Sequence, residues 1–270
     1  MTSSSTCTIV TCFYRFPSKH SADEYDAWSA RFLGAVDTPM VIYCDAESAP
    51  RLAALRARVS DVTQIIVLPL SQTDCGSGRT GVNFTNEHAR DPEAHLHSPA
   101  LYEVWNEKSA FVRRVMESNP FHTDTFAWCD IGCFRSDLNL ASYRRWPEGA
   151  RLDAVDPERL VLLLMQPFQP GELAVSPATG LPPSFERVIR VGGTIMVGHR
   201  RAWERWIPAY YNALRRFAAV GMFAGKDQNV MAAMCALHPE FLLLVTPTFI
   251  ASHGDPWFFL QPWFSLKING

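Results

Sequence analysis

The stretch Thr123-Asp124-Thr125-Phe126-Ala127-Trp128-Cys129-Asp130-Ile131-Gly132-Cys133-Phe134-Arg135 decides how this chain is read. An apolar run ends in an acid, and a glycine follows two residues later. Phe126, Trp128 and the small residues between them read as a buried strand. Asp130 is the first charge beyond it, and Gly132 lets the backbone turn with no Cβ in the way. In an α/β sheet, ligands sit in the crevice beyond the carboxyl ends of the strands. A carboxylate delivered there can hold a divalent cation, which in turn holds a diphosphate. The same arrangement also serves an Asp that only starts a turn.

Upstream of this stretch, Cys7 to Phe13 is β-branched and apolar and reads as the first strand, with Tyr14 and Arg15 at its carboxyl end. Ser21-Ala22-Asp23-Glu24 is a capping box, followed by Tyr25, Trp28, Phe32 and Leu33 at helical spacing. Residues 38–44 form a second strand ending before Asp45, residues 50–59 a helix, and residues 63–68 a third strand. This alternation predicts an α/β fold, with a mostly parallel central sheet flanked by helices in a single compact domain. Ser98-Pro99 opens a helix that carries Asn106 and Lys108 and runs to about Ser118.

Between them, residues 69–98 break the rhythm. Gly76-Ser77-Gly78-Arg79-Thr80-Gly81 matches G-x-G-x-x-G, but no strand directly precedes it and no helix opens after it. It reads as a mobile glycine loop of lid-like length. His88, His95 and His97 within it could bind metal or simply be solvated.

Downstream, residues 160–166 read as a strand, and residues 187–197 as another with a central Gly192-Gly193 step. Such a step marks a bulge or a close approach of backbone to ligand. A long helix spans about residues 200–220, and its aromatics read as core. Gly225-Lys226-Asp227-Gln228 opens a further helix with Asp227 at the N-cap. A late strand covers residues 241–245, and His253 before Gly254 is a candidate second metal ligand.

Composition narrows the classes. The 270 residues are 47% hydrophobic, enough for one large core or two small ones. With 25 basic against 27 acidic residues, the chain lacks the charge footprint of nonspecific nucleic-acid binding. The seven cysteines contain no Cys-x-x-Cys pair, so reduced thiols and a cytoplasmic location are expected rather than structural zinc. The first residues lack the pattern of a signal peptide, and no apolar run reaches the ~20 residues of a membrane span.

Five stretches, in order, resemble the WlaTC/HtrL-type family of predicted bacterial glycosyltransferases. They are Cys7-Thr8-Ile9-Val10-Thr11-Cys12-Phe13-Tyr14, Trp105-Asn106-Glu107-Lys108, Asn119-Pro120-Phe121, residues 128–135, and Gly225-Lys226-Asp227-Gln228. The resemblance spans about residues 7–245 and implies a GT-A-like fold, in which a nucleotide-sugar lies over the carboxyl ends of the sheet. It further implies a donor-binding half over residues 1–135 and an acceptor-binding half over 136–270, continuous with the same sheet. The acceptor is an unspecified glycan or small molecule. An Asp-x-Asp motif with Mn²⁺ or Mg²⁺ belongs to that picture, but here glycine, Gly132, stands where the second Asp would be.

The resemblance places Asp130 and His253 as metal ligands and Asp227 as the base that deprotonates the acceptor hydroxyl. Thr11, Tyr14, Asp45, Lys108, Asp130, Arg135, Gly193 and Gln228 become donor-binding residues. Lys108 and Arg135 would meet charge on the departing diphosphate. Two alternatives stand beside this expectation: a nucleotidyltransferase, and a nucleotide-sugar-binding module that has lost turnover.

Overall fold

The computed structural model describes residues 7–137, 140–248 and 255–265. Its strands are β1 (Cys7–Phe13), β2 (Met40–Cys44), β3 (Thr63–Val67), β4 (Thr125–Cys129), β5 (Leu160–Leu164), β6 (Val191–His199) and β7 (Leu242–Val245). They form one seven-stranded sheet in the order β3-β2-β1-β4-β6-β5-β7. Pairing is parallel between β1 and β2, β2 and β3, β1 and β4, and β5 and β7. Strand β6 runs antiparallel to both of its neighbours, β4 and β5. The architecture is therefore the expected single α/β domain with a mostly parallel sheet.

Both faces of the sheet are buried, and strict alternation sorts the side chains between them. Val10 and Cys12 of β1, Val41 and Tyr43 of β2, and Phe126 and Trp128 of β4 enter one core. Ile9 and Phe13, Ile42 and Cys44, and Ala127 and Cys129 enter the other.

The helices are α1 (Ala22–Ala35), α2 (Ala49–Leu55), α3 (Phe84–His88), α4 (Pro99–Ser118), α5 (Ala150–Asp153), α6 (Arg200–Ala219), α7 (Asp227–Leu237) and α8 (Leu260–Trp263). Helices α4, α6 and α7 cover the first face, while α1 and α2 cover the second. The capping box of α1 is complete: Ser21 Oγ accepts from Glu24 N–H, and the Glu24 carboxylate accepts from Ser21 N–H at 2.8 Å. Helix α4 starts as expected, with Ser98 as N-cap and Pro99 at its first position.

Three expectations need correction. First, residues 69–98 are packed rather than a loose loop, and a short helix, α3, does open after the glycine run, with Asn83 as its N-cap. Cys75, Val82 and Phe84 are buried, and Asp74 and Cys75 N–H donate to the buried Glu107 carboxylate at 3.0 and 2.8 Å. Glu87, also buried, accepts from Ala224 N–H at 2.6 Å, tying the segment to the start of the α7 region. Second, the helix after β2 ends at Leu55 and gives way to a 3₁₀ segment over Ala57–Val62. Third, the N-cap of α7 is Lys226, and Asp227 is already the first helical residue.

Candidate functional site

In the strand order, the chain steps from β1 outward to β2 and β3, then returns to place β4 on the other side of β1. A crevice opens at such a switch point, outside the carboxyl ends of the two strands. Tyr14 follows β1 there and Asp130 follows β4. Between them lies a cleft of about 420 Å³, walled by Tyr14, Arg15, Tyr25, Trp105, Trp128, Asp130, Arg135 and Phe258 among others. The wall is largely aromatic, with the Arg15 and Arg135 guanidinium groups and one carboxylate, Asp130.

Helix α4 supplies the charge behind Asp130. Lys108 lies seven residues after Leu101 and four before Val112, on the stripe that packs against the sheet, so it is buried like its apolar neighbours. A buried ammonium needs partners. Lys108 Nζ sits 3.2 Å from Asp130 Oδ1 and 2.9 Å from Asp227 Oδ2, and it donates to the Gly193 carbonyl at 2.8 Å. Burial pulls the ammonium down, and the Asp130 and Asp227 carboxylates more than reverse this, raising it above its ordinary value. The lysine is thus a fixed positive charge.

The two acids differ in access. The Asp130 side chain is 28% exposed and faces the cleft; that of Asp227 is 3% exposed. Trp128 Nε1–H donates to Asp130 Oδ1 at 2.7 Å, and Asp130 N–H donates to the Thr194 carbonyl of β6 at 2.8 Å. Burial pushes the Asp130 carboxyl up, against the pull of Lys108 and of the Trp128 hydrogen bond. Asp227 Oδ1 accepts from Gln228 N–H at 2.9 Å, while its Oδ2 makes the ionic contact to Lys108 without a directed hydrogen bond. Gly193 makes the cluster possible: a Cβ there would lie 2.8 Å from Asp227 Oδ2 and 3.0 Å from Met231.

The structure therefore gathers Tyr14, Lys108, Asp130, Arg135, Gly193 and Asp227 at one place. Tyr14 donates its hydroxyl to the Leu68 carbonyl at 2.8 Å and presents its ring to the cleft. Arg135 lies over Trp28 at 4.1 Å and Phe258 at 4.9 Å from their ring centroids. Of the anticipated donor residues, Tyr14, Asp130 and Arg135 line the cleft, Lys108 and Gly193 meet behind Asp130, and three others stand elsewhere. Thr11 is buried within β1, with Oγ1 unpartnered. Asp45 accepts from Ser48 N–H at 2.7 Å, closing the turn into α2. Gln228 is half-buried in the first turn of α7 and does not line the cleft. His253 lies outside the described residues.

Tyr25 and Trp105 are wall residues that helical spacing alone reads as core, while Trp28 is buried behind them. Trp28 and Tyr25 pack edge to face at 5.3 Å. The stripe position of Lys108 was the available signal that it is buried.

The residues at Asp130 do not make a two-acid metal site. Asp130 is the one carboxylate in the wall and already has Lys108 beside it, and Gly132 contributes no ligand. A second group, Asp91, Glu93 and His97, brings three ligand atoms within 4.8 Å of one another. There the Lys226 ammonium lies 3.4 Å from Asp91 Oδ1 and is paired with Glu93, while His97 Nδ1 lies 2.7 Å from Asp91 Oδ2. A divalent ion at this group would have to displace Lys226.

Among the described residues, no helix is long and apolar enough to cross a membrane. No family model matches the sequence, and no curated protein does. Among solved structures, the chain is similar to the apo crystal structure of mouse xyloside xylosyltransferase 1, with 12% identity and a TM-score of 0.47, over 88% of this chain and 84% of that one.

Proposed function

We propose that the cleft is the donor site of a glycosyltransferase that moves a sugar from a nucleotide-sugar to an acceptor hydroxyl. The observation that carries this is the Lys108 ammonium, fixed between Asp130 and Asp227 beneath an aromatic cleft at the sheet's switch point. Aromatic faces such as Tyr14 and Trp105 suit a nucleobase, which stacks regardless of its identity. Arg15 and Arg135 offer planar forks to a diphosphate. Positive charge placed where the diphosphate departs stabilises the transition state without reorganising.

Asp130 is the carboxylate that meets the ligand. Its raised proton affinity and access to the cleft suit it to orient or accept a proton from a hydroxyl. Asp227, assigned beforehand as the base, has no exposed path to the cleft and holds Lys108 in place instead. A bound Mn²⁺ or Mg²⁺ would act as a Lewis acid on the departing diphosphate. Asp130 alone would hold it in the wall, so the positive charge that the chain itself offers the diphosphate is that of Arg15 and Arg135, with Lys108 neutralising part of the charge on Asp130 and Asp227.

The missing second acid favours one other reading, a module that binds nucleotide-sugars without turning them over. A thermal-shift screen of nucleoside diphosphates and their sugars, with and without Mn²⁺, tests binding. A ligand at 100 times its dissociation constant adds about 2.7 kcal/mol of stability. Sugar-nucleotide hydrolysis by wild type and Asp130→Asn then separates enzyme from module. No shift with any nucleoside diphosphate would remove both.

A further inference from the structure

On the face covered by α4 and α6 lies a second cavity, of about 640 Å³, that shares no residue with the donor cleft. Its wall comes from three places: the turn carrying Asp74, Arg79 and Thr80; Arg113 of α4; and Ile207, Pro208, Tyr211 and Arg215 of α6. Three guanidinium groups line it against one carboxylate.

That carboxylate is oversubscribed. Arg79, Arg113 and Arg114 all converge on Asp74, at 2.9, 2.6 and 2.7 Å. One negative charge cannot neutralise three positive ones, and Asp74 is itself tucked in, its side chain 18% exposed. The other nearby acids offer little. The Glu107 carboxylate is fully buried and spends its oxygens on the Asp74 and Cys75 amides, with Arg114 at 3.4 Å. Glu117 approaches Arg113 Nε only to 3.9 Å, beyond hydrogen-bond reach.

Two donors are left over. Arg113 Nε is buried and has no hydrogen-bond partner. Arg215, exposed on α6, has no ion-pair or hydrogen-bond partner among the described residues. Around a single carboxylate, guanidinium groups of fixed orientation are preorganised for the oxygens of a tetrahedral oxyanion, which they grip as planar forks. Ile207 and Pro208 add an apolar wall suited to the carbon skeleton bearing that group.

We infer that this cavity is a second ligand site, which takes a phosphate or sulfate ester through Arg79, Arg113 and Arg215. Asp74 holds the Arg79 and Arg113 guanidinium groups in orientation, and Arg215 completes the ring from α6. The inference does not depend on the donor cleft.

Isothermal titration at low salt tests it, with inorganic pyrophosphate and a sulfated disaccharide as separate probes. The proteins are wild type, Arg215→Gln, Arg79→Gln and Arg135→Gln. Arg135 belongs to the donor cleft, so pyrophosphate affinity that falls in Arg135→Gln belongs there. The expected result is binding of at least one probe that weakens about tenfold or more in Arg215→Gln and Arg79→Gln but not in Arg135→Gln. Binding of pyrophosphate alone identifies a phosphate ester, and binding of the disaccharide alone a sulfated sugar. Arg215→Gln breaks no bond within the protein, so its melting temperature should match wild type and its result stands even if Arg79→Gln loosens the turn. Failure of both probes to bind wild type, or equal affinity in wild type and both of these variants, overturns the inference.

Discussion

Replacing Lys108 with methionine keeps most of the side-chain volume and removes only the charge. The ammonium touches two carboxylates, and Asp227, with a side chain 3% exposed, has no other counterion among the described residues. Breaking a buried pair by removing one partner costs about 3–5 kcal/mol, because the other charge stays desolvated. Asp130 is 28% exposed and adds less, since water screens it. Lys108→Met should therefore lose about 3–4 kcal/mol, which for a chain of this length lowers the melting temperature by roughly 5–7 °C. A second substitution identifies the cause. In Lys108→Met/Asp227→Asn the orphaned charge is gone, so at least half of the loss should return, a coupling that independent sites do not show. Calorimetry at pH 7.5 on the four proteins of this cycle measures it. Lys108→Met melting within about 1 °C of wild type, or losses that simply add in the double variant, would refute the account of a lysine that exists to balance two acids.

Gly193→Ala forces a Cβ to within 2.8 Å of Asp227 Oδ2, and should cost about 1–3 kcal/mol as an overpacked site; chemical denaturation reads this, and an unchanged midpoint would show that Asp227 has room to move. All seven cysteines are buried, with burial pushing Cys44 up to about 11 and Cys235 up to about 12, so a thiol reagent at pH 8 should label none in the native protein and all in denaturant. Residues 69–98 should resist limited proteolysis without any ligand, because Glu87 and Glu107 hold their backbone; rapid cutting there would restore the lid expected from composition. Asp227→Asn should lower melting temperature together with any transfer rate, whereas a fall of roughly 10²–10⁴-fold in rate at unchanged stability would return Asp227 to the role of base.

Local signals were read well. The Ser21–Glu24 capping box, the Ser98-Pro99 helix start and the β4 run ending at Asp130 depend on neighbours within a few residues, and all three stand in the structure. What the sequence hid is held by distant partners. Glu87 is buried because Ala224, 137 positions away, needs an acceptor, and nothing near Glu87 says so. Lys108 looks like a polar helix residue until Asp130, Asp227 and the Gly193 carbonyl come together around it. Asp227 has the residue type of a cap, and its helical position moves by one because Lys226 takes the extended conformation instead. The Gly192-Gly193 step reads as a bulge or an approach of backbone to ligand, and the β5–β6 register does shift beside it, while a Cβ on Gly193 would have a close neighbour. The close neighbour is a carboxylate of the chain itself.

Gly132 bears on which variants of this chain are within mutational reach. A two-acid motif could be completed on paper by the single change Gly132→Asp. In the fold, a Cβ at that position lies 3.1 Å from the Trp28 ring and 3.3 Å from the Tyr25 ring. Those rings are not free to retreat, because Trp28 packs edge-on against His20 and Tyr25 and carries Arg135 on its face. A lineage that turned this site toward a two-carboxylate ion site would have to shrink Trp28 or Tyr25 as well, so packing closes the one-step route.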